Sequence, residues 1–175
     1  LSAIWKHGVV AMGLVAFYLA LEGSTWLGST ELHTNIEIAA SIVSFVVGLV
    51  ALIRFYSKKN NTSLFVGAGF LGTALLDWYH AIVTSSFFDQ LFPSPAPSLI
   101  PWSWNASRTF LALLMLLSYW AWDRERRLGK AGRVSEFKVY AGVASLTLIS
   151  FAFFAFVPLP AAYYPELPFG RPEEF

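Results

Sequence analysis

The 175-residue chain is 56% hydrophobic and only 13% charged, with a mean hydropathy of +0.56. Soluble domains carry roughly 25% charged residues, so this chain has too few charges to cover a water-facing surface, and its apolar residues fall in long blocks of the kind that cross membranes. A formal net charge of +1 offers no bulk attraction for nucleic acid. The absence of Cys excludes disulfides, thiolate metal sites and cysteine nucleophiles, which leaves His, Asp and Glu as metal ligands.

Five apolar segments predict five helices, at about 5–22, 34–56, 63–87, 106–122 and 139–157. The first is short for a bilayer, which needs roughly 20 residues per span. No small-residue cleavage site and soluble body follow it, so it does not read as a secretory signal. Between the first two segments lies the small-residue turn "GSTWLGSTE", and "SKKNNTS" separates the second from the third. The four prolines of "FPSPAPSLIPWSWN" argue for a loop before the fourth segment. A charged connection, "DRERRLGKAGR", precedes the fifth, and an irregular tail follows it. The fold expected is all-α, a polytopic transmembrane helical bundle with about five spans. Leu1 and the terminal "GRPEEF" lead to the expectation that residues 1–175 are a membrane-embedded piece of a longer protein. Strands of a β-barrel would be shorter and alternate in polarity, and no internal repeat suggests an inverted-repeat transporter.

Lysine and arginine set the expected orientation. Lys6, the group Arg54, Lys58 and Lys59, and the run from Arg124 to Lys138 all fall on one side if five helices alternate. Positive residues mark the cytoplasmic side, which puts the N-terminus inside and residue 175 outside. Only Arg108 and Arg171 depart from this set. Trp26, Trp102, Trp104, Tyr163 and Tyr164 fall near the expected interfaces, where amphipathic rings are favoured.

Polar residues inside the apolar segments are the functional signal. "ALLDWYHAI" places Asp77 and His80 one turn apart in the outer half of the third helix. His33 and Glu37 share a face at the outer start of the second, Glu22 ends the first, and Arg108 lies about one turn into the fourth. Charged groups in hydrocarbon are costly and normally face protein or water, so these residues are expected to converge on an outward-opening pocket. His33, Glu37, Asp77 and His80 would suit a divalent metal such as zinc or copper. Equally, Asp77 would fix the tautomer of His80 or His33, and Arg108 would neutralise a carboxylate or receive an anionic ligand. A purely structural ion network remains open beside these readings. So do a small-molecule or metal transporter and an intramembrane metal enzyme with Glu37 as base. The apolar Val46, Val47, Val50 and Ala51 weigh against a polar path through the membrane. Gly67, Gly69 and Gly72, with Ala39, Ala40 and Ser41, predict close approach of the second and third helices. "GAGFLG" is no phosphate loop, because no strand precedes it.

"LHTNIEIAASIVSFVVGLVAL", "FVGAGFLGTALLDWYHAI" and "WNASRTFLALLML" together resemble the MASE3-type membrane-associated sensor domains of bacterial signalling proteins. The family's H-T-x-x-E falls on His33, Thr34 and Glu37, its D-x-x-H on Asp77 and His80, and its small-residue–Arg motif on Ala106, Ser107 and Arg108. "LPFGRPEEF" is similar to the family's outer loop, and the resemblance runs from about Leu32 to Phe175. It implies a non-catalytic inner-membrane sensor domain whose later residues lead to a histidine kinase, PAS or diguanylate cyclase module, as in two-component signalling. Such outputs work in pairs, so a homodimer is implied. On this reading a small ligand or metal engages His33, Glu37, Asp77 and His80 from the outer side, with Arg108 as charge partner.

Overall fold

The computed structural model describes residues 2–21, 30–85 and 93–160. Their elements are α1 (Ser2–Leu21), α2 (Thr30–Lys58), α3 (Asn61–Thr84), α4 (Ala96–Leu128), a 3-10 turn (Gly129–Gly132) and α5 (Glu136–Phe156). The fold is all-α across these residues. Three helices are long and apolar enough to cross a membrane: Leu32–Lys58, Asn61–Val83 and Glu136–Phe156. In α1 the apolar stretch, His7–Leu19, is shorter. Among the expected polar and interfacial residues, Glu22, Trp26, Tyr163, Tyr164 and Arg171 lie outside the described residues.

The centre of the bundle is α3. It packs against α2, α4 and α5, while α1 makes no packing contact with the other described helices. In the apolar window of α3, 61% of residues are buried, against 17% in α2 and in α5. Close approach is the reason α3 can carry neighbours on several sides. A Cβ on Gly67 would come within 2.5 Å of the Leu52 side chain and 3.0 Å of its backbone N, and one on Gly48 would meet Leu71 at 2.9 Å. Small residues let membrane helices pack backbone to backbone in this way. On α3's other faces, Gly69 and Gly72 make room for Leu114 and Phe110 of α4. In the expected small stripe of α2, Ser41 is buried but Ala39 is exposed, so the approach from α2 is made deeper, at Gly48.

The proline-rich segment departs from the loop expected of it. Here α4 begins at Ala96, ten residues before the predicted start at 106, with Pro95 as N-cap and Pro97 in the first turn. First-turn N–H groups have no partner inside a helix, so Pro97 removes nothing there. Only Pro101 lies deeper in the helix. The added turns are held by burial, because Leu99 is 2% exposed and packs with Val83, Phe154 and Leu159.

At the opposite end of α3, one side chain joins three elements. Asn60 caps the helix by accepting from Ser63 N at 2.8 Å. Asn61, itself 2% exposed, donates through Nδ2 to the carbonyls of Ala121 (2.8 Å) and Gly132 (3.1 Å) and accepts from Val134 N–H at 2.9 Å. Its backbone N–H donates to Glu125 at 2.7 Å, and the other oxygen of that carboxylate accepts from Arg133 at 3.1 Å. The start of α3 is thereby tied to the end of α4 and to the turn that leads into α5. Leaving buried polar groups unpaired costs about 1–3 kcal/mol each. Asn61→Ala is therefore expected to lower stability by roughly 2–4 kcal/mol, read as earlier thermal unfolding of the detergent-purified protein. An unchanged melting curve would show that this junction does not hold the helices together.

Candidate metal and ligand site

Because α2 and α3 are joined by a tight turn, the start of α2 and the end of α3 meet at one end of the bundle. The first turns of α4 close the same end. His33 and Glu37 project from α2, Asp77 and His80 from α3, and Arg108 from α4. The expected convergence from three helices is present, and its residues divide into two groups.

His33, Glu37 and His80 form the first group. Each offers one ligand atom, and these atoms all lie within 4.8 Å of one another. The two imidazoles meet edge to face, with ring centroids 6.1 Å apart. Glu37 and His80 are buried and His33 is half-buried. This buried cluster has the donor set and spacing to take a divalent metal.

The state of His80 follows from Ser103. The Ser103 hydroxyl donates to the carbonyl of Ile100 at 3.0 Å, so its single proton is engaged. The 2.8 Å contact between Ser103 Oγ and His80 Nδ1 must then have the imidazole as donor. Nε2 is left with its lone pair, and it is buried without a hydrogen bond among the described residues. Metal-binding histidines show the same arrangement, one nitrogen donating to a supporting group and the other free to ligate. Asp77, one candidate in the sequence for fixing the tautomer of His80 or His33, is not the partner of His80 Nδ1; Ser103, which the sequence does not single out, is. A serine one turn before a Ser-Arg pair is too ordinary a pattern to single out, and the expected loop there hid its helical register.

The second group is ionic. Arg108 Nη1 stands 3.6 Å from Asp77 Oδ2, and Nη2 stands 3.8 Å from Glu37 Oε2. The guanidinium also lies over the Trp104 ring, 5.7 Å from its centre. Asp77 is 1% exposed, and neither of its carboxylate oxygens has a hydrogen bond among the described residues. Asp77 therefore stands outside the three-residue cluster and faces Arg108. Glu37 belongs to both groups. The aromatic residues nearby serve packing: Trp78 stacks on Phe45, Tyr79 on Phe154, and Trp102 donates to the Pro160 carbonyl at 3.2 Å.

The described residues form an all-α bundle with three helices long and apolar enough to cross a membrane and a buried polar cluster at one end. Residues 29–167 match MASE3, the membrane-associated sensor domain, and the chain belongs to that family. The family consists of non-catalytic membrane sensor modules linked to signalling outputs. No curated protein and no solved structure matches the chain.

Removing the arginine should expose the cost of the carboxylates it faces. Breaking a buried ion pair by deleting one partner costs about 3–5 kcal/mol. Arg108 is 41% exposed, so water offsets part of this. Arg108→Gln is expected to destabilise the protein by roughly 2–3 kcal/mol, and Asp77→Asn added to it should restore most of the loss. Failure of the second substitution to rescue would show that Arg108 acts through some other contact.

Proposed function

We propose that this chain is the input module of an inner-membrane signalling protein, and that it senses a divalent transition metal, zinc or copper, at His33, Glu37 and His80. The observation that carries this reading is the cluster itself: His33, Glu37 and His80 each offer a ligand atom within 4.8 Å of the others, and the Nε2 of His80 is buried without a hydrogen bond among the described residues. In a tetrahedral zinc site the ligand atoms stand about 3.3 Å apart. Binding would bring the ligand atoms of α2 and α3 closer together at this end. A sensor requires such a difference, because a ligand shifts an equilibrium only through unequal affinity for two states. Asp77 and Arg108 hold the surrounding charge. A partly exposed guanidinium also gives an anionic co-ligand a place to pair.

Five spans, with the N-terminus in the cytoplasm and the site toward the outer leaflet, complete the proposal. The distribution of Lys and Arg supports it. The signal then passes to a kinase or cyclase output in the same longer chain, and paired outputs favour a homodimer. The Cys-free sequence makes the orientation measurable: Ser135→Cys should react with a membrane-impermeant thiol reagent in inverted vesicles and not in intact cells. The reverse pattern would overturn the orientation.

Elemental analysis of the detergent-purified protein tests the site. A near-stoichiometric metal is expected, and it should be lost in folded His33→Ala and His80→Ala variants. Ser103→Ala keeps the ligand set but removes the support for Nε2, and should weaken affinity about 10–100-fold. No metal after reconstitution with zinc and with copper would sink the metal reading. The same residues would then be a pocket for a small organic ligand or a structural ion network.

A further inference from the structure

At the end of the bundle remote from this cluster, a groove of about 820 Å³ opens where α2 ends, α3 begins and α4 ends. One half of it is apolar, walled by Val46, Val50, Ala51 and Val66. The other half is polar and basic, formed by Thr62 and Ser63 at the start of α3 and by Arg54 and Arg126. Both arginines are exposed, and neither has a carboxylate partner within salt-bridge distance among the described residues. Arg126 lies over the Trp122 ring, 5.4 Å from its centre, and that ring also lines the groove. The single carboxylate there, Glu125, is already engaged by Asn61 N–H and Arg133.

We propose that this groove binds an anionic phospholipid, with its phosphate between Arg54 and Arg126 and an acyl chain along the valine wall of α2. The split between an apolar half and a basic half matches an amphiphile. It also falls at helix ends, where lipid headgroups lie. Basic pockets between membrane helices hold acidic headgroups by this combination, and an aromatic ring at the same level suits the interface. The charge argument separates the lipid from α1, the one described helix without a packing partner. The sequence of α1 contains no Asp or Glu to meet the two arginines.

Native mass spectrometry of the detergent-purified chain tests this, using phosphatidylglycerol and phosphatidylcholine with identical acyl chains. One phosphatidylglycerol should be retained with a preference of about thirtyfold, the scale expected of two basic residues near a headgroup. Arg54→Gln with Arg126→Gln should abolish the preference. Arg124→Gln with Lys130→Gln removes the same charge away from the groove and should leave it intact. Equal retention of the two lipids, or equal loss in both double variants, would overturn the proposal. So would displacement of the lipid by millimolar inorganic phosphate, which would mark a simple anion site.

Discussion

Two carboxylates on different helices share one arginine from a third, and the geometry of the sensor end depends on that sharing. Asp77 is almost fully enclosed, and a charge so placed in a membrane protein must face a counter-charge or water. The distances of 3.6 and 3.8 Å are those of electrostatic attraction rather than tight hydrogen bonds. Arg108 keeps part of its guanidinium outside, which spares it the full cost of burial. Arg108 faces α2 and α3 together in the same rotation of α4 that seats Phe110 and Leu114 against Gly72 and Gly69 of α3. Ser103, about one and a half turns earlier, is carried to His80 by the same rotation, and His33 lies one turn before Glu37. The cluster that can take a metal and the ionic group beside it are thus parts of one packing solution.

The scaffold allows this because α3 is packed from several sides without being wide. Glycines at 67, 69 and 72 thin it where Leu52, Leu114 and Phe110 press against it. Its two ends are then fixed by unlike means. Asn61 satisfies a set of directed hydrogen bonds at the first turn, while in the last turns His80 has one such bond, to Ser103, and the Asp77 carboxylate has none among the described residues. A directed network specifies one arrangement.

Much of this was legible in the sequence because the strongest constraints were compositional or periodic. Long apolar blocks predict membrane helices, and the spacings His33/Glu37 and Asp77/His80 put each pair on one face. Of the three glycines expected to bring the second and third helices together, Gly67 does so, whereas Gly69 and Gly72 face α4. What the sequence hid depended on tertiary placement. The early start of α4 rests on burial of Leu99, which outweighs the prolines around it. The division of labour between Asp77 and His80 depends on which neighbour reaches each, and Ser103 acquires its role only through the Ile100 carbonyl and the His80 ring. Nor does an apolar pattern reveal a helix's partners: α1 reads as a membrane segment, yet no described helix packs on it.

The contact between α2 and α3 also limits how a binding event could travel. Deep in the bundle, Gly48 and Gly67 hold the two helices so close that a methyl group would collide. Such a contact resists sliding and separation, but it tolerates a small tilt about itself. His33 and Glu37 lie 15 and 11 residues before Gly48, about 16–22 Å along the axis. Arg54 lies six residues beyond it, about 9 Å on the other side. In the proposed sensor, an ion drawing His33 toward His80 would therefore swing the far end of α2 the opposite way. Asn61 fixes the start of α3 to α4 and to the turn before α5, so that end of α3 cannot follow freely. On that proposal the displacement would fall on the groove between α2 and α4.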